Sequence, residues 1–200
     1  MKVDINNYWN PELYKINSEY NIKMVERTLD DIKFNYKKAM VCGRGELHHP
    51  DFHPRISAPT TNIDSDLYVS VDHDPSYVKY IIRKGQYVLS LIVNPSVPKK
   101  ILEIGGKVYW FSPDYLNYDL PKILDGKYPK GNSGLAAISV SSYLGINYIL
   151  LSGIKLTGQY KQFLEGKKMV FERAEKNGTK IFSLDGLLTE KLSYYDWCKL

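Results

Sequence analysis

The residues best suited to acid–base chemistry are histidines and aspartates in two short segments. All four histidines of the chain lie there, three between residues 46 and 62 and one in Asp72-His73-Asp74. Imidazole works as a general acid or base near neutral pH, and histidine with carboxylate can hold a divalent ion that bridges phosphates. The spacing matches no standard metal motif, and polar surface is the alternative use of such a loop. The candidate catalytic residues are His48, His49, His53, Asp72 and His73.

A glycine turn is the first candidate ligand-binding motif. The residues Gly43, Arg44 and Gly45 follow an apolar stretch, residues 37–43, that predicts a buried strand. In α/β sheets ligands bind outside the carboxyl ends of the strands. The guanidinium of Arg44 either grips a phosphate there or faces solvent. The full dinucleotide fingerprint is absent, so a sharp turn is the alternative use of both glycines.

Residues 131–158 predict the helix and strand around which the rest of the chain is organised. Asn132 or Ser133 can cap the helix, because a short side-chain oxygen accepts from the free N–H groups of the first turn. Such a helix N-terminus favours an anion, and the alternative is a capped helix packed closely on a sheet. A strand over residues 148–151 follows. The candidate ligand-binding residues of this segment are Asn132, Ser133, Gly134, Ser152 and Lys155.

Strand-like and helix-like segments alternate along the chain. Strands are predicted at residues 37–43, 67–71, 87–93, 108–111, 148–151 and 180–184. Helices are predicted within residues 11–34 and at residues 75–82, 95–104, 133–144, 162–176 and 187–197, with a long connection at 112–130. This alternation predicts an α/β fold, a three-layer sandwich in which helices cover both faces of a mostly parallel sheet.

The domain prediction is an N-terminal helical lead-in, residues 1–36, followed by one main domain, residues 37–200. The lead-in packs either on the sheet or on a second subunit of a homo-oligomer. If the strands at 37–43 and 67–71 are neighbours, the loops that carry the histidines lie side by side.

The composition is typical of a folded protein from a reducing compartment. Of the 200 residues 44% are hydrophobic, and the two cysteines, Cys42 and Cys198, form no disulfide framework. The N-terminus lacks a signal-peptide pattern, and Gly145 interrupts the uncharged residues 131–154, so we predict a cytoplasmic protein without a membrane span. The net charge of +5 is scattered. This argues against a nucleic-acid-binding face but permits a small anionic ligand.

Three motifs in this order resemble those of a known superfamily. They are Cys-Gly-Arg-Gly after the first strand, Val-Ser-Val-Asp-His-Asp-Pro around the end of the second, and Gly-Asn-Ser-Gly-Leu-Ala-Ala followed by Leu-Gly-Ile-Asn-Tyr-Ile-Leu-Leu-Ser-Gly-Ile-Lys-Leu. Over residues 38–185 the chain resembles the 6-hydroxymethylpterin pyrophosphokinase MptE-like and motility accessory factor proteins. It also resembles the related bacterial sialyltransferases that use CMP-sialic acid.

The resemblance implies a Rossmann-like domain with a nucleotide site at the carboxyl ends of the strands. The residues that it places near the nucleotide are Gly43, Gly45, Asp72, Ser133 and Gly134. Two features depart from the sialyltransferases. Lys155 stands where they have aspartate, and only a few residues separate it from the next predicted helix, where they carry a lid with a catalytic histidine.

The functional prediction is a nucleotide-dependent transferase. It would move a sugar from a nucleotide sugar such as CMP-sialic acid, or a diphosphate from a nucleotide. One alternative is a binding module that keeps the nucleotide pocket without the lid, and another is a nucleotide hydrolase that uses the histidines and aspartates. The partner implied in each case is a nucleotide or nucleotide sugar, and the one cofactor considered is Mg²⁺ bound with it.

Overall fold

The computed structural model describes residues 10–45, 52–124, 132–154, 163–185 and 188–200. Its strands are β1 (Lys38–Cys42), β2 (Arg55–Ser57), β3 (Leu67–Ser70), β4 (Gln86–Ser90), β5 (Lys107–Pro113), β6 (Lys122–Leu124), β7 (Tyr148–Ser152) and β8 (Lys180–Ser183). Its α-helices are α1 (Pro11–Asn21), α2 (Ser96–Glu103), α3 (Ser133–Tyr143), α4 (Leu164–Lys176) and α5 (Tyr194–Lys199). Shorter 3₁₀ helices include Pro59–Thr61 and Pro75–Tyr80.

The eight described strands form one sheet in the order β6-β5-β4-β3-β2-β1-β7-β8, and every pair of neighbours is parallel. The chain steps outward from β1 to β6 and then returns to the other side of β1 as β7. This arrangement confirms the predicted α/β fold, a Rossmann-like three-layer sandwich with a parallel sheet.

Successive side chains of a strand pack into different hydrophobic clusters, because side chains alternate between the two faces of a sheet. In β1, Val41 belongs to the core beneath α3, whereas Met40 and Cys42 pack with Trp197 of α5. In β4, Val88 joins the first core, and its neighbours pack in a third cluster with side chains of α2. The strands are therefore buried on both faces, which explains their nearly continuous apolar sequences.

Helix α3 is buried along its length. Every side chain from Leu135 to Ser142 is almost inaccessible to solvent, and α3 contacts β1, β2, β3, β6 and α4. It ends at Gly145, whose φ of +77° is costly for any other residue type. The N–H groups of Gly145 and Ile146 donate to the carbonyls of Ser142 and Ser141, which closes the last turn.

The structure differs from the sequence predictions at two strands. The short strand β2 lies in the proline-rich segment between β1 and β3, so the strands predicted at 37–43 and 67–71 are not neighbours. Strand β6 falls within the predicted connection 112–130 and pairs with the end of β5. Both have only three residues, which is too short for a hydrophobic period to appear.

The ends of the chain also differ from the predictions. Of the helical region predicted within 11–34, α1 ends at Asn21 and only 3₁₀ turns follow. Helix α5 begins at Tyr194 instead of residue 187, because Lys191 pairs with Ser183 and Ser193 provides the cap. None of the described helices has the length and hydropathy that a membrane span requires.

Helix α1 packs across the carboxyl end of β4. The side-chain amide of Asn21 donates to the carbonyls of Leu91 and Val93, and that of Asn17 donates to Ile92. All of these bonds are buried, and Asn21 is inaccessible to solvent. The carboxyl edge of the sheet is therefore covered on its β4 side.

Candidate functional site

The order of the strands reverses between β1 and β7, and parallel sheets bind ligands outside the carboxyl ends of strands near such a point. In this protein the two loops there touch. Gly43 N–H donates to the Ser152 carbonyl (2.8 Å) and Gly45 N–H to the Gly153 carbonyl (2.7 Å). A Cβ on Gly43 would lie 2.4 Å from the Gly153 oxygen, so this contact alone requires glycine.

The loop contact bears on four predicted ligand-binding residues. At Gly43 and Gly45 the close approach of the Gly153 backbone explains why both residues are glycine. Ser152 is buried, and Arg44, between the two glycines, is exposed. Contact of any of them with a ligand remains a prediction.

The N-terminus of α3 offers two free N–H groups. Asn132 is its cap, with Oδ1 accepting from Leu135 N–H at 2.9 Å and its carbonyl accepting from Ala136 N–H. Among the described residues none accepts a hydrogen bond from the N–H groups of Ser133 or Gly134. A Cβ on Gly134 would lie 3.1 Å from Asn132 Oδ1, so the side chain at this position must be minimal. These N–H groups and the helix dipole favour an anion.

Asp72 follows the carboxyl end of β3 and lies near the N-terminus of α3. Ser133 Oγ accepts from Val71 N–H at 3.4 Å, which joins the start of α3 to the residue before Asp72. The Asp72 carboxylate is half-buried and accepts from Asp74 N–H at 3.2 Å. Burial raises the pKa of Asp72, while the Asp74 N–H and His73 oppose the rise. A carboxylate with a raised pKa is a better general base than an ordinary surface aspartate.

Tyr77 brings a buried hydroxyl to the start of α3. Its side chain lies in the 3₁₀ helix Pro75–Tyr80 and is only 5% exposed. The hydroxyl lies near those of Ser70, Thr60 and Ser133, yet within the described chain it makes no hydrogen bond of good geometry. Burial, with the charge of Asp72 adding to it, raises the pKa of Tyr77 to about 12, so the group remains a proton donor.

Tyr14 of α1 closes the other side of the site. Its ring meets the His73 ring edge-on, with centroids 4.9 Å apart, and it is 1% exposed. Burial raises the pKa of Tyr14 to about 12, opposed by a backbone hydrogen bond, while the charge of Asp72 adds to the rise. His73 is thus held against α1, next to Asp72 in sequence.

His53 lies at the opposite edge of the sheet. It precedes β2, and its Nδ1 is 2.8 Å from Oδ2 of Asp66, the residue before β3. Both residues are therefore at the amino ends of their strands, whereas Asp72 and His73 follow the carboxyl end of β3. The expectation that the loop of His53 adjoins that of Asp72 is wrong, because β2 separates the two predicted strands and carries the chain back across the sheet.

Three predicted site residues, His48, His49 and Lys155, lie outside the described residues. The sequence analysis missed Tyr77 and Tyr14, which the 17 scattered tyrosines conceal. For Tyr77 a signal existed, since it lies two residues after Pro75, in the turn that follows the end of a predicted strand. No such local signal marks Tyr14, which reaches the site only through the packing of α1.

The described residues bring the free N–H groups at the start of α3 close to the half-buried carboxylate of Asp72. They contain no group of three or more His, Cys, Asp or Glu side chains that could hold a metal ion. No protein-family model matches the chain, and no curated protein matches it. Inferences about function therefore depend on this geometry.

Proposed function

We propose that the chain binds a nucleotide at the carboxyl edge of its sheet and acts as a nucleotide-dependent transferase. The phosphates would lie on the N-terminus of α3, and the donor would be a nucleotide sugar such as CMP-sialic acid or a nucleotide that gives up a diphosphate. The observation that carries this proposal is the buried, unpartnered hydroxyl of Tyr77 beside the free N–H groups of Ser133 and Gly134.

The chemistry of these groups favours phosphate. Burying a hydroxyl without a hydrogen bond costs about 1–3 kcal/mol, and a phosphate oxygen that accepts from Tyr77 would recover it. The N–H groups of Ser133 and Gly134 add donors on the same side, and charge-assisted hydrogen bonds of this kind are the stronger ones. The sequence resemblance to nucleotide-dependent enzymes supports the same assignment.

Asp72 is the group that we assign to proton transfer. It lies directly beyond β3, next to the helix start, and burial raises its pKa. In a transferase it would accept the proton of the acceptor hydroxyl as that oxygen attacks the donor. The donor's bond to the nucleotide then breaks, and the nucleotide leaves with the charge that α3 stabilises.

The first experiment is a thermal-shift panel on purified protein. The ligands are CMP, CMP-sialic acid, ATP, GTP, UDP-sugars and ADP-ribose, each with magnesium and with EDTA. One nucleotide class at about one hundred times its Kd is expected to stabilise the protein by about 2.7 kcal/mol. If no nucleotide raises the melting temperature, the site does not bind nucleotides and the proposal fails.

Turnover of the nucleotide that binds then decides the activity. Acceptor-dependent transfer that is lost in Asp72→Asn, with binding retained, supports the transferase. Binding without turnover would overturn the transferase and leave a nucleotide-binding module. Release of product that needs no acceptor would identify a hydrolase instead.

A further inference from the structure

A cavity lies between α3 and α4, away from the start of α3. It has a volume of about 210 Å³. Two helical stripes face each other across it, one of them Ser139, Ser142 and Tyr143, spaced three and four residues apart as one helix face requires. The facing stripe of α4 is Val170, Arg173, Ala174 and Asn177, and Ile123 of β6 completes the lining.

One buried hydroxyl that lines this cavity, that of Ser139, has no hydrogen-bond partner among the described residues, whereas the hydroxyl of Ser142 accepts from Asn177 and Thr179. Ser139 is 6% exposed, and its hydroxyl makes no hydrogen bond within the described chain. Ser141, on the same helix, contrasts with it because its hydroxyl donates to the Ala137 carbonyl at 2.7 Å. A serine in the middle of a helix ordinarily makes such a bond, so the hydroxyl of Ser139 is available to a ligand.

Arg173 is fixed at the mouth of the cavity. Nη1 donates to Asp114 Oδ2 (3.2 Å) and to the Ile123 carbonyl (3.3 Å), and Nη2 donates to the Lys122 carbonyl (2.7 Å). A guanidinium has five N–H groups, so the Nε–H and one Nη2–H have no acceptor among the described residues. The side chain is 43% exposed, which leaves it reachable from solvent.

We propose that this cavity binds a small oxyanion, a carboxylate or phosphate group, between the hydroxyl of Ser139 and the guanidinium of Arg173. Both groups offer unused N–H or O–H donors, and Arg173 is held in place before any ligand arrives. The volume of about 210 Å³ is sufficient for a small oxyanion. The site is separate from the proposed nucleotide site and does not depend on it.

The test is a ¹H–¹⁵N NMR titration of the full chain with sodium phosphate in one arm and sodium acetate in the other, at constant ionic strength set with chloride. Saturable shifts are expected at the amides of Ser139 and Asn177. If only phosphate saturates the shifts, the site binds phosphate groups. If only acetate saturates them, it binds carboxylates. Shifts confined to Ser133 and Gly134, or no saturable shifts, would overturn the proposal.

Variants locate the binding. Ser139→Ala should weaken it roughly tenfold, because one hydrogen bond to a charged group is lost, and Arg173→Gln should abolish it. The matched control is Ser141→Ala, which removes a buried hydroxyl two residues along the helix, outside the lining of the cavity, and should leave the affinity unchanged. If Arg173→Gln fails to fold, Ser139→Ala still decides, since equal affinity in that variant and the wild type contradicts the assignment.

Discussion

The hydroxyl of Tyr77 is a group that the folded protein keeps at a cost. We expect Tyr77→Phe to raise the free energy of unfolding by about 1 kcal/mol, because it removes a buried donor that has no acceptor. The same variant should bind the proposed nucleotide more weakly than the wild type. Urea unfolding and isothermal titration calorimetry measure the two effects, whose opposite signs distinguish a ligand-binding hydroxyl from a packing residue.

Tyr87→Phe is the matched control. The ring of Tyr87 is also buried, 1% exposed, but its hydroxyl donates to the Arg83 carbonyl at 2.7 Å. Losing that bond should lower the free energy of unfolding by about 1 kcal/mol and leave nucleotide affinity unchanged. A stabilised Tyr87→Phe, or a Tyr77→Phe with unchanged affinity, would contradict the role assigned to Tyr77.

The carboxylate of Asp72 makes stability depend on pH in an unusual direction. Burial raises its pKa above the ordinary 3.8, so the folded state binds this proton more tightly than the unfolded state. The stability that protonated Asp72 contributes is therefore complete below the pKa that this group has in the unfolded chain. It is lost as the pH rises through the higher pKa that the group has in the folded protein. Asp72→Asn should gain stability relative to the wild type between about pH 4 and pH 7, measured by urea unfolding at each pH.

Asp74 provides the opposite case two residues away. Its carboxylate accepts from Ser76 N–H, and that bond lowers the pKa of Asp74. Its stabilising contribution is present above the unfolded pKa and is lost as the pH falls through the lowered folded pKa, so Asp74→Asn should lose stability relative to the wild type as the pH rises from about 2 to about 5. If the stabilities of both variants relative to the wild type changed with pH in the same direction, burial would not be the cause of the pKa shift of Asp72.

The contact between the loops after β1 and β7 requires a backbone without side chains. Gly43→Ala should lower the free energy of unfolding by about 1–3 kcal/mol, because the new Cβ would lie 2.4 Å from the Gly153 carbonyl oxygen and the loops must separate. Thermal or urea unfolding measures this loss. It is expected even if neither loop ever contacts a ligand.

Arg44→Ala in the same loop is the matched control for Gly43→Ala. The side chain is exposed, so the change should alter the free energy of unfolding by less than about 0.5 kcal/mol. The same variant tests whether Arg44 grips a phosphate. Unchanged nucleotide affinity would assign this residue to the surface of the turn.

The elements with complete local signals could be predicted from the sequence, and those without them could not. Helix α3 has a cap at Asn132 and a stop at Gly145, and β7 is a continuous apolar run, so both were found close to their observed bounds. Strand β2 has only three residues, and two of them, Arg55 and Ser57, are polar but buried. Nothing local predicts that burial, because the neighbouring strands β1 and β3 cause it.

The positions of the candidate site residues were predicted in the same unequal way. The helix cap at Asn132 and the place of Asp72 after a strand were predicted correctly, because a helix start and a strand end each have local signals, whereas their role in a site stays a prediction. His53 was misplaced because its position depends on β2. Tyr14 was missed because its place depends on how α1 crosses the sheet, through the buried amides of Asn17 and Asn21. The topology of the whole chain, and no local signal, places His53 at the amino edge of the sheet and Tyr14 at the carboxyl edge.

The thiol of Cys42 can be used to follow the packing of the core that Met40, Cys42 and Trp197 form on one face of the sheet. Cys198 is exposed, whereas Cys42 is 2% exposed beneath Trp197, and burial raises the pKa of the Cys42 thiol to about 12. Trp197→Ala should lower the free energy of unfolding by about 3–5 kcal/mol and uncover Cys42. A thiol reagent such as DTNB should then label two cysteines quickly under native conditions instead of one.

Tyr195→Ala is the control for that experiment. Tyr195 lies in the same helix but is 70% exposed, so its removal should change neither stability nor labelling appreciably. Slow labelling of Cys42 in Trp197→Ala would mean that other side chains of the cluster, such as Phe52 and Tyr194, suffice to cover the thiol.

The burial of α3 on all sides has a consequence for how the sequence can change. An ordinary surface helix tolerates most substitutions on its outward face, so its tolerance rises and falls every three to four residues. From Leu135 to Ser142 no such outward face exists. A saturation scan should find this helix intolerant of larger side chains at every position from Leu135 to Ser142 except Ser139 and Ser142, which line the cavity between α3 and α4. Variation among related sequences should therefore be confined to exchanges among small and apolar residues along this helix.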